Sequence, residues 1–176
     1  HNLPFQSMNP IHETDRLLLR ELNLGDVPFI LSLLNSPGWL KYIGDRGVKN
    51  EEQAKDYLLN GPLKSYKENG FGLYLVEERI SKLPIGLCGL LKRETLENPD
   101  LGFAFLSDYM GKGFAFEAAH AVLEYTKSEL KLPTILAIVL PNNQPSIKLL
   151  EKLGFQYQKT IQVKEGEDLS LFQVNL

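Results

Sequence analysis

The chain has a single cysteine, Cys88, among its 176 residues, so an internal disulfide is excluded and the thiol usage suits a reducing cytoplasm. Cys88 lies in the apolar run from Ile85 to Leu91 and reads as a buried strand thiol, not a nucleophile. No apolar run approaches the roughly 20 residues that a membrane span requires. Positive charge is also scarce. Lys and Arg number 19 against 22 Asp and Glu, and a net charge of −3 excludes the basic field that nucleic acid demands. Histidines number three. His12 and His120 read as bland surface residues, and His120 has no partner histidine at metal spacing, which argues against zinc. His1 belongs to a stretch, residues 1–7, that looks like the remnant of a protease-cleavable tag, with Met8 as the natural start. Repeats, low-complexity segments and linkers are lacking too. With 43% hydrophobic content, residues 8–176 read as one domain with one core.

What is present begins with the stretch Asp100 to Leu123: a strand, a turn containing Gly111, Lys112 and Gly113, and a long helix running to about Leu130. Ala115, Ala118, Ala119 and Val122 fall on one face of that helix, small enough to let it lie close to a sheet. A helix opening on two glycines offers free backbone N–H groups and a positive dipole end, which suits a phosphate-type anion. Two familiar phosphate loops are excluded. Gly113 follows Lys112 where the NTPase loop needs Ser or Thr, and Phe116 stands where the dinucleotide fingerprint needs a third small residue. A second block follows, in which a strand from Thr134 to Leu140 stops at Pro141 and a short helix, 143–153, closes at Gly154.

Elsewhere, Arg16 to Leu22 reads as a first strand. Asp26 then caps a helix with Val27, Ile30, Leu31 and Leu34 at helical spacing. The segment from Pro37 to Ile43 reads as loop. Asn50 and Gln53 form a capping box for a helix that starts near Glu51 and is interrupted at Gly61 and Pro62. Phe71 to Glu77, Ile85 to Leu91 and Leu101 to Leu106 read as strands, and 155–163 with 169–174 as a final hairpin. The order β-α-α-β-β-β-α-β-α-β-β is that of an α/β domain with a mixed sheet.

The two blocks, together with the opening Glu13 to Leu22 and Gly25-Asp26, resemble the GNAT superfamily of acyl-coenzyme A-dependent N-acetyltransferases. The opening looks like the RimJ/RimL branch of ribosomal-protein-alanine acetyltransferases, and the resemblance runs from Ile11 to roughly the carboxyl end. It implies a GNAT-like fold, a mixed and mostly antiparallel sheet flanked by helices with splayed central strands. It also implies acetyl-CoA as co-substrate, no metal, and acetyl transfer to a primary amine: the α-amino group of a protein N-terminus or a small amine metabolite. The implied protein is cytoplasmic, a monomer or homodimer, with an amine acceptor as partner and neither nucleic acid nor membrane. Two alternatives stay open: a CoA-binding sensor without catalysis, and an acyltransferase for an amino acid, polyamine or aminoglycoside. The chain departs from the superfamily at Met110, where Arg or Gln is usual, and at Leu150, where many members carry tyrosine.

By the same resemblance, the amides of Gly111, Lys112, Gly113, Phe114 and Ala115 grip the diphosphate. Phe105 and Leu106 lend backbone groups to the pantetheine arm, Leu106 also polarising the thioester carbonyl, and Asn143 contacts the arm further along. Ser146 sits near the sulfur as a proton donor or else caps its helix, with Tyr109 and Tyr157 as other candidates. Asp100 is the expected base, acting through water, ahead of Glu94 and Glu97. Trp39, Tyr42 and Phe71 line the acceptor cleft, with Trp39 and Tyr42 alternatively packing their loop onto the sheet.

Overall fold

The computed structural model describes residues 10–176, so the tag-like stretch and Met8 lie outside the described residues. The chain runs through strands β1 (Pro10–Glu13) and β2 (Leu17–Glu21), then helices α1 (Val27–Leu34), α2 (Pro37–Tyr42), α3 (Glu51–Asn60) and α4 (Pro62–Asn69). Strands β3 (Leu73–Glu78), β4 (Pro84–Leu91) and β5 (Asp100–Phe105) follow, then α5 (Phe114–Tyr125), β6 (Thr134–Val139), α6 (Gln144–Lys152), β7 (Gln156–Lys164) and β8 (Glu167–Asn175). The eight strands form one sheet in the order β1-β2-β3-β4-β5-β6-β8-β7. Adjacent strands are antiparallel except β5 and β6, which are parallel.

Alternation along the central strands builds two cores. Tyr74, Val76, Ile85, Leu101 and Phe105 face α5 and meet Ala118, Ala119 and Val122, all fully or nearly buried. Leu73, Leu75 and Leu87 face the other way, onto Ile30, Leu33, Ala54 and Leu58 of the α1–α4 layer. The small residues of α5 bring its axis close to the sheet, as their spacing predicts. No helix among the described residues is long and apolar enough to cross a membrane.

Close packing is tightest at Gly89 in β4. A Cβ there would meet Gly72 O at 2.1 Å and Leu73 Cα at 2.8 Å, both backbone atoms that cannot swing aside. Gly89→Ala is therefore expected to destabilise the fold by about 3 kcal/mol, at the upper end of ordinary overpacking. A urea titration checks this, and a loss below about 1 kcal/mol would show that β3 and β4 can slide apart.

Three readings are corrected. Residues 10–13 form an edge strand, β1, that their mixed polarity conceals. Pro37 opens a helix instead of a loop, since proline at the first helical position gives up a donor that has no partner there anyway. Asp26 makes no side-chain cap to α1. It is buried and accepts two bonds from Arg20, Nη1 at 3.0 Å and Nη2 at 2.8 Å, while Arg20 Nε donates to buried Glu77 at 2.9 Å. Asn50 does cap α3, its Oδ1 accepting Gln53 N–H at 2.8 Å.

Candidate active site

The β5–β6 seam is where the sheet fails to close. One pair, Asp100 and Leu136, is in register, and Leu136 N–H donates to Pro99 O at 2.9 Å. Beyond it the two strands diverge. Backbone groups alternate sides along a strand. Leu106 N–H donates to Ile85 O in β4 at 3.0 Å, so the even-numbered residues of β5 spend their bonds on β4. The odd-numbered Phe103 and Phe105 turn their N–H and C=O toward the gap, where no β6 residue is in register with them. Phe105 thus faces the gap, whereas Leu106, expected to face it too, spends its N–H on β4 and its carbonyl on Tyr109 N–H at 2.9 Å. Phe103 faces the gap beside Phe105. The sequence did not reveal it, because the side of the strand that faces the gap is set by which side pairs with β4.

Past β5 the chain makes a single 3₁₀ turn, 107–109, and reaches the glycine turn. Gly111 and Gly113 adopt φ of +74° and +82°, a left-handed geometry that costs a side-chain-bearing residue about 1–2 kcal/mol. The first bond of α5 runs from Glu117 N–H to Gly113 O at 3.1 Å. Phe114, Ala115 and Phe116 therefore offer N–H groups with no helical acceptor, aimed off the end of a 12-residue helix. Lys112 is exposed, and Phe114 is buried in the α5-side core.

On the far side of the gap, Asn143 opens α6. It is buried, and its Oδ1 accepts Ser146 N–H at 3.3 Å. Asn143 is thus the cap, and the Ser146 hydroxyl is left half-buried with no partner among the described residues. Leu150 is wholly buried. Tyr157 is exposed, and its hydroxyl lies 3.2 Å from the Thr160 hydroxyl.

Asp100 stands at the apex of the splay, 1% exposed. Arg93 Nε donates to both its oxygens, at 3.1 and 3.3 Å. Burial pushes the carboxyl above its ordinary range, and the Arg93 charge and hydrogen bond pull partly back. Glu94 and Glu97 are exposed on the preceding turn. Trp39 and Phe71 are both buried: Trp39 belongs to the core cluster of Leu22, Ile30 and Val48, in line with the packing alternative, and Phe71 to the cluster on the α5 side. The Trp39 Nε1 is buried with no hydrogen-bond partner among the described residues. Tyr42 is half-buried, with Lys41 Nζ 4.9 Å from its ring centre. His120 is a surface residue, its Nδ1 3.1 Å from Glu124. No group of three or more potential metal ligands occurs among the described residues.

An open sheet edge ending at an anion-ready helix suits a ligand that is a thread of amides with a charged diphosphate partway along. Coenzyme A has that form, and the residues fit it: donors at the turn, no side chain on Gly111 or Gly113, and unpaired backbone at Phe103 and Phe105. The chain belongs to the acetyltransferase (GNAT) family, whose domain profile matches residues 16–156. It is an acetyltransferase that draws on an acyl-CoA donor and delivers to an amine. The Bacillus subtilis (strain 168) protein YkkB is 32% identical over 152 residues, covering 84% of this chain and 86% of that protein. The solved acetyltransferase from Agrobacterium tumefaciens str. C58 superposes with a TM-score of 0.80 at 25% identity, covering 99% of this chain and 98% of that one. RimL, the ribosomal L7/L12 alpha-N-protein acetyltransferase solved with coenzyme A, gives 0.83 at 14% identity, with 96% and 98% covered. At that identity the likeness is one of fold.

Proposed function

We propose that the acceptor is an α-amino group, on a protein N-terminus or a small amine metabolite. The observation that carries this is the Arg93–Asp100 pair. A carboxylate held at 3.1 and 3.3 Å by a guanidinium is a weak base even when burial strengthens it. An α-amine near pKa 8 costs about 1–1.5 kcal/mol to deprotonate at pH 7, whereas a lysine-type amine costs about 4–5 kcal/mol. A weak base serves the first and not the second.

In this reading the amides from Gly111 to Ala115 hold the diphosphate, with Lys112 exposed beside it. Phe103 and Phe105 pair with the arm as a neighbouring strand would, and Asn143 meets it on the α6 side. The donor supplies an activated thioester. The Phe103 N–H, facing the gap, is the group aimed at the developing charge on the carbonyl oxygen. Asp100 takes the amine proton through water, and the unpartnered Ser146 hydroxyl returns one to the departing sulfur. Tyr42 borders the acceptor side. The lone buried thiol and the absence of disulfides fit a cytoplasmic enzyme.

Thiol release from acetyl-CoA, measured across an amine panel, tests the choice of acceptor. Peptides with a free α-amine are expected to exceed lysine-bearing peptides blocked at the N-terminus by about 250-fold in kcat/KM, the ratio that the difference in deprotonation cost implies. Faster turnover of blocked lysine peptides or polyamines would overturn the α-amine assignment.

A further inference from the structure

Arg16 lies in the bend between β1 and β2, yet it touches the glycine turn nearly a hundred residues away. Its Nη1 donates to Lys112 O at 3.0 Å, and its Nε donates to Glu117 Oε1 at 2.7 Å. Its backbone N–H reaches Glu117 Oε2 at 3.0 Å, and the Thr14 hydroxyl donates to the same oxygen at 2.5 Å. The guanidinium carbon lies 4.2 Å from the centre of the Phe114 ring, and Nη2 comes within 3.3 Å of where a Cβ on Gly113 would sit.

We propose that Arg16 is a positioning residue for the donor diphosphate, holding the glycine turn from behind and strengthening one of its donors. The inference rests on the reading of that turn as the diphosphate site. Two left-handed glycines leave the turn many alternative shapes, and N–H dipoles that converge on one point repel one another. A planar fork that engages Lys112, Phe114 and Glu117 at once removes most of those alternatives. The second effect is electronic. Lys112 O and Gly113 N–H belong to one conjugated peptide unit, so a charge-assisted bond to the oxygen makes the N–H a better donor.

Glu117 makes this a matter of shape and not of free charge. Burial acts to raise its carboxyl, but the bonds from Thr14 and Arg16 and the guanidinium charge outweigh that and hold it below the usual carboxylate range. The guanidinium is thus already paired, and it projects little field of its own toward an anion. Lysine, a point charge without the fork, cannot reach Lys112 O and Glu117 together in the same geometry.

The experiment is calorimetric titration of CoA into wild type, Arg16→Lys, Arg16→Ala and Glu117→Gln, paired with acetyl-CoA kinetics and melting of the free proteins. Arg16→Ala and Arg16→Lys are both expected to weaken CoA binding and raise the acetyl-CoA KM about tenfold with kcat within about twofold, Glu117→Gln falling between them and wild type. Arg16 is 45% exposed, so melting points within a few degrees are expected and the loss can be read as binding. Arg16→Lys binding like wild type would replace the brace with a simple charge effect and overturn it. So would a kcat loss at unchanged KM. Wild type that binds CoA while Arg16→Ala binds equally well sinks the brace alone; wild type that fails to bind at millimolar CoA sinks the diphosphate reading as well.

Discussion

Asp100→Asn is expected to turn over about 10²–10⁴-fold more slowly than wild type, the usual worth of a positioned base, yet to melt no lower at pH 7. The two halves of this expectation come from the same burial. In the folded protein the carboxyl sits above its ordinary range, chiefly because it is desolvated, with Arg93 offsetting part of that. A folded acid that holds its proton more tightly than the unfolded chain contributes stability below the unfolded value near pH 4, and loses it as pH rises through the folded value. Once ionised, Asp100 is therefore a burden on the fold, and an uncharged amide of the same shape relieves it. Arg93, with a third of its side chain exposed, can turn to water. The melting advantage of the variant should narrow on acidification and close near pH 4. Melting curves from pH 4 to 8 with thiol-release kinetics decide the matter. A variant that loses stability but keeps its turnover would make Asp100 a latch for the β4–β5 connection and move the base elsewhere.

Arg20→Ala is the second large effect. It strands Asp26 and Glu77, 7% and 6% exposed, without the guanidinium that bonds both. Removing one partner from a buried ionic cluster costs about 3–5 kcal/mol, because the remaining charges keep their desolvation penalty and lose their compensation. For a chain of this size that is about 6–20 °C in melting temperature. Arg20→Lys should recover little, since an ammonium cannot bond Asp26 twice and reach Glu77. The cluster joins β2 and β3 to the start of α1, so the α1–α4 layer should loosen first, visible as faster amide exchange there than in β6 and β8. A loss under about 1 kcal/mol would mean that water already shares these carboxylates.

The parts legible in the sequence were those decided locally. Gly111 and Gly113 announce a left-handed turn wherever they fall, Asn50 with Gln53 announces a helix start, and the small face of α5 announces close packing against a sheet. The parts that were hidden depend on partners far along the chain. Asp26 looks like a cap until Arg20 and Glu77 are seen beside it, and Arg16 and Glu117 meet across nearly a hundred residues. Trp39 looks like an exposed loop aromatic because Pro37 and Gly38 suggest a loop; as part of α2 it turns inward. Leu106 against Phe103 is a matter of parity. A strand's pattern says which residues share a side, and only the neighbouring strand says which side is already taken.

The lone Asp100–Leu136 rung has a mechanical meaning. Five strands on one flank and three on the other share a crease, and resistance to folding along it falls to the helices lying above and to whatever lies in the groove. A donor thread paired with Phe103 and Phe105 would stiffen that crease as a batten does. The same backbone that is proposed to hold the donor would then draw its stiffness from what it holds.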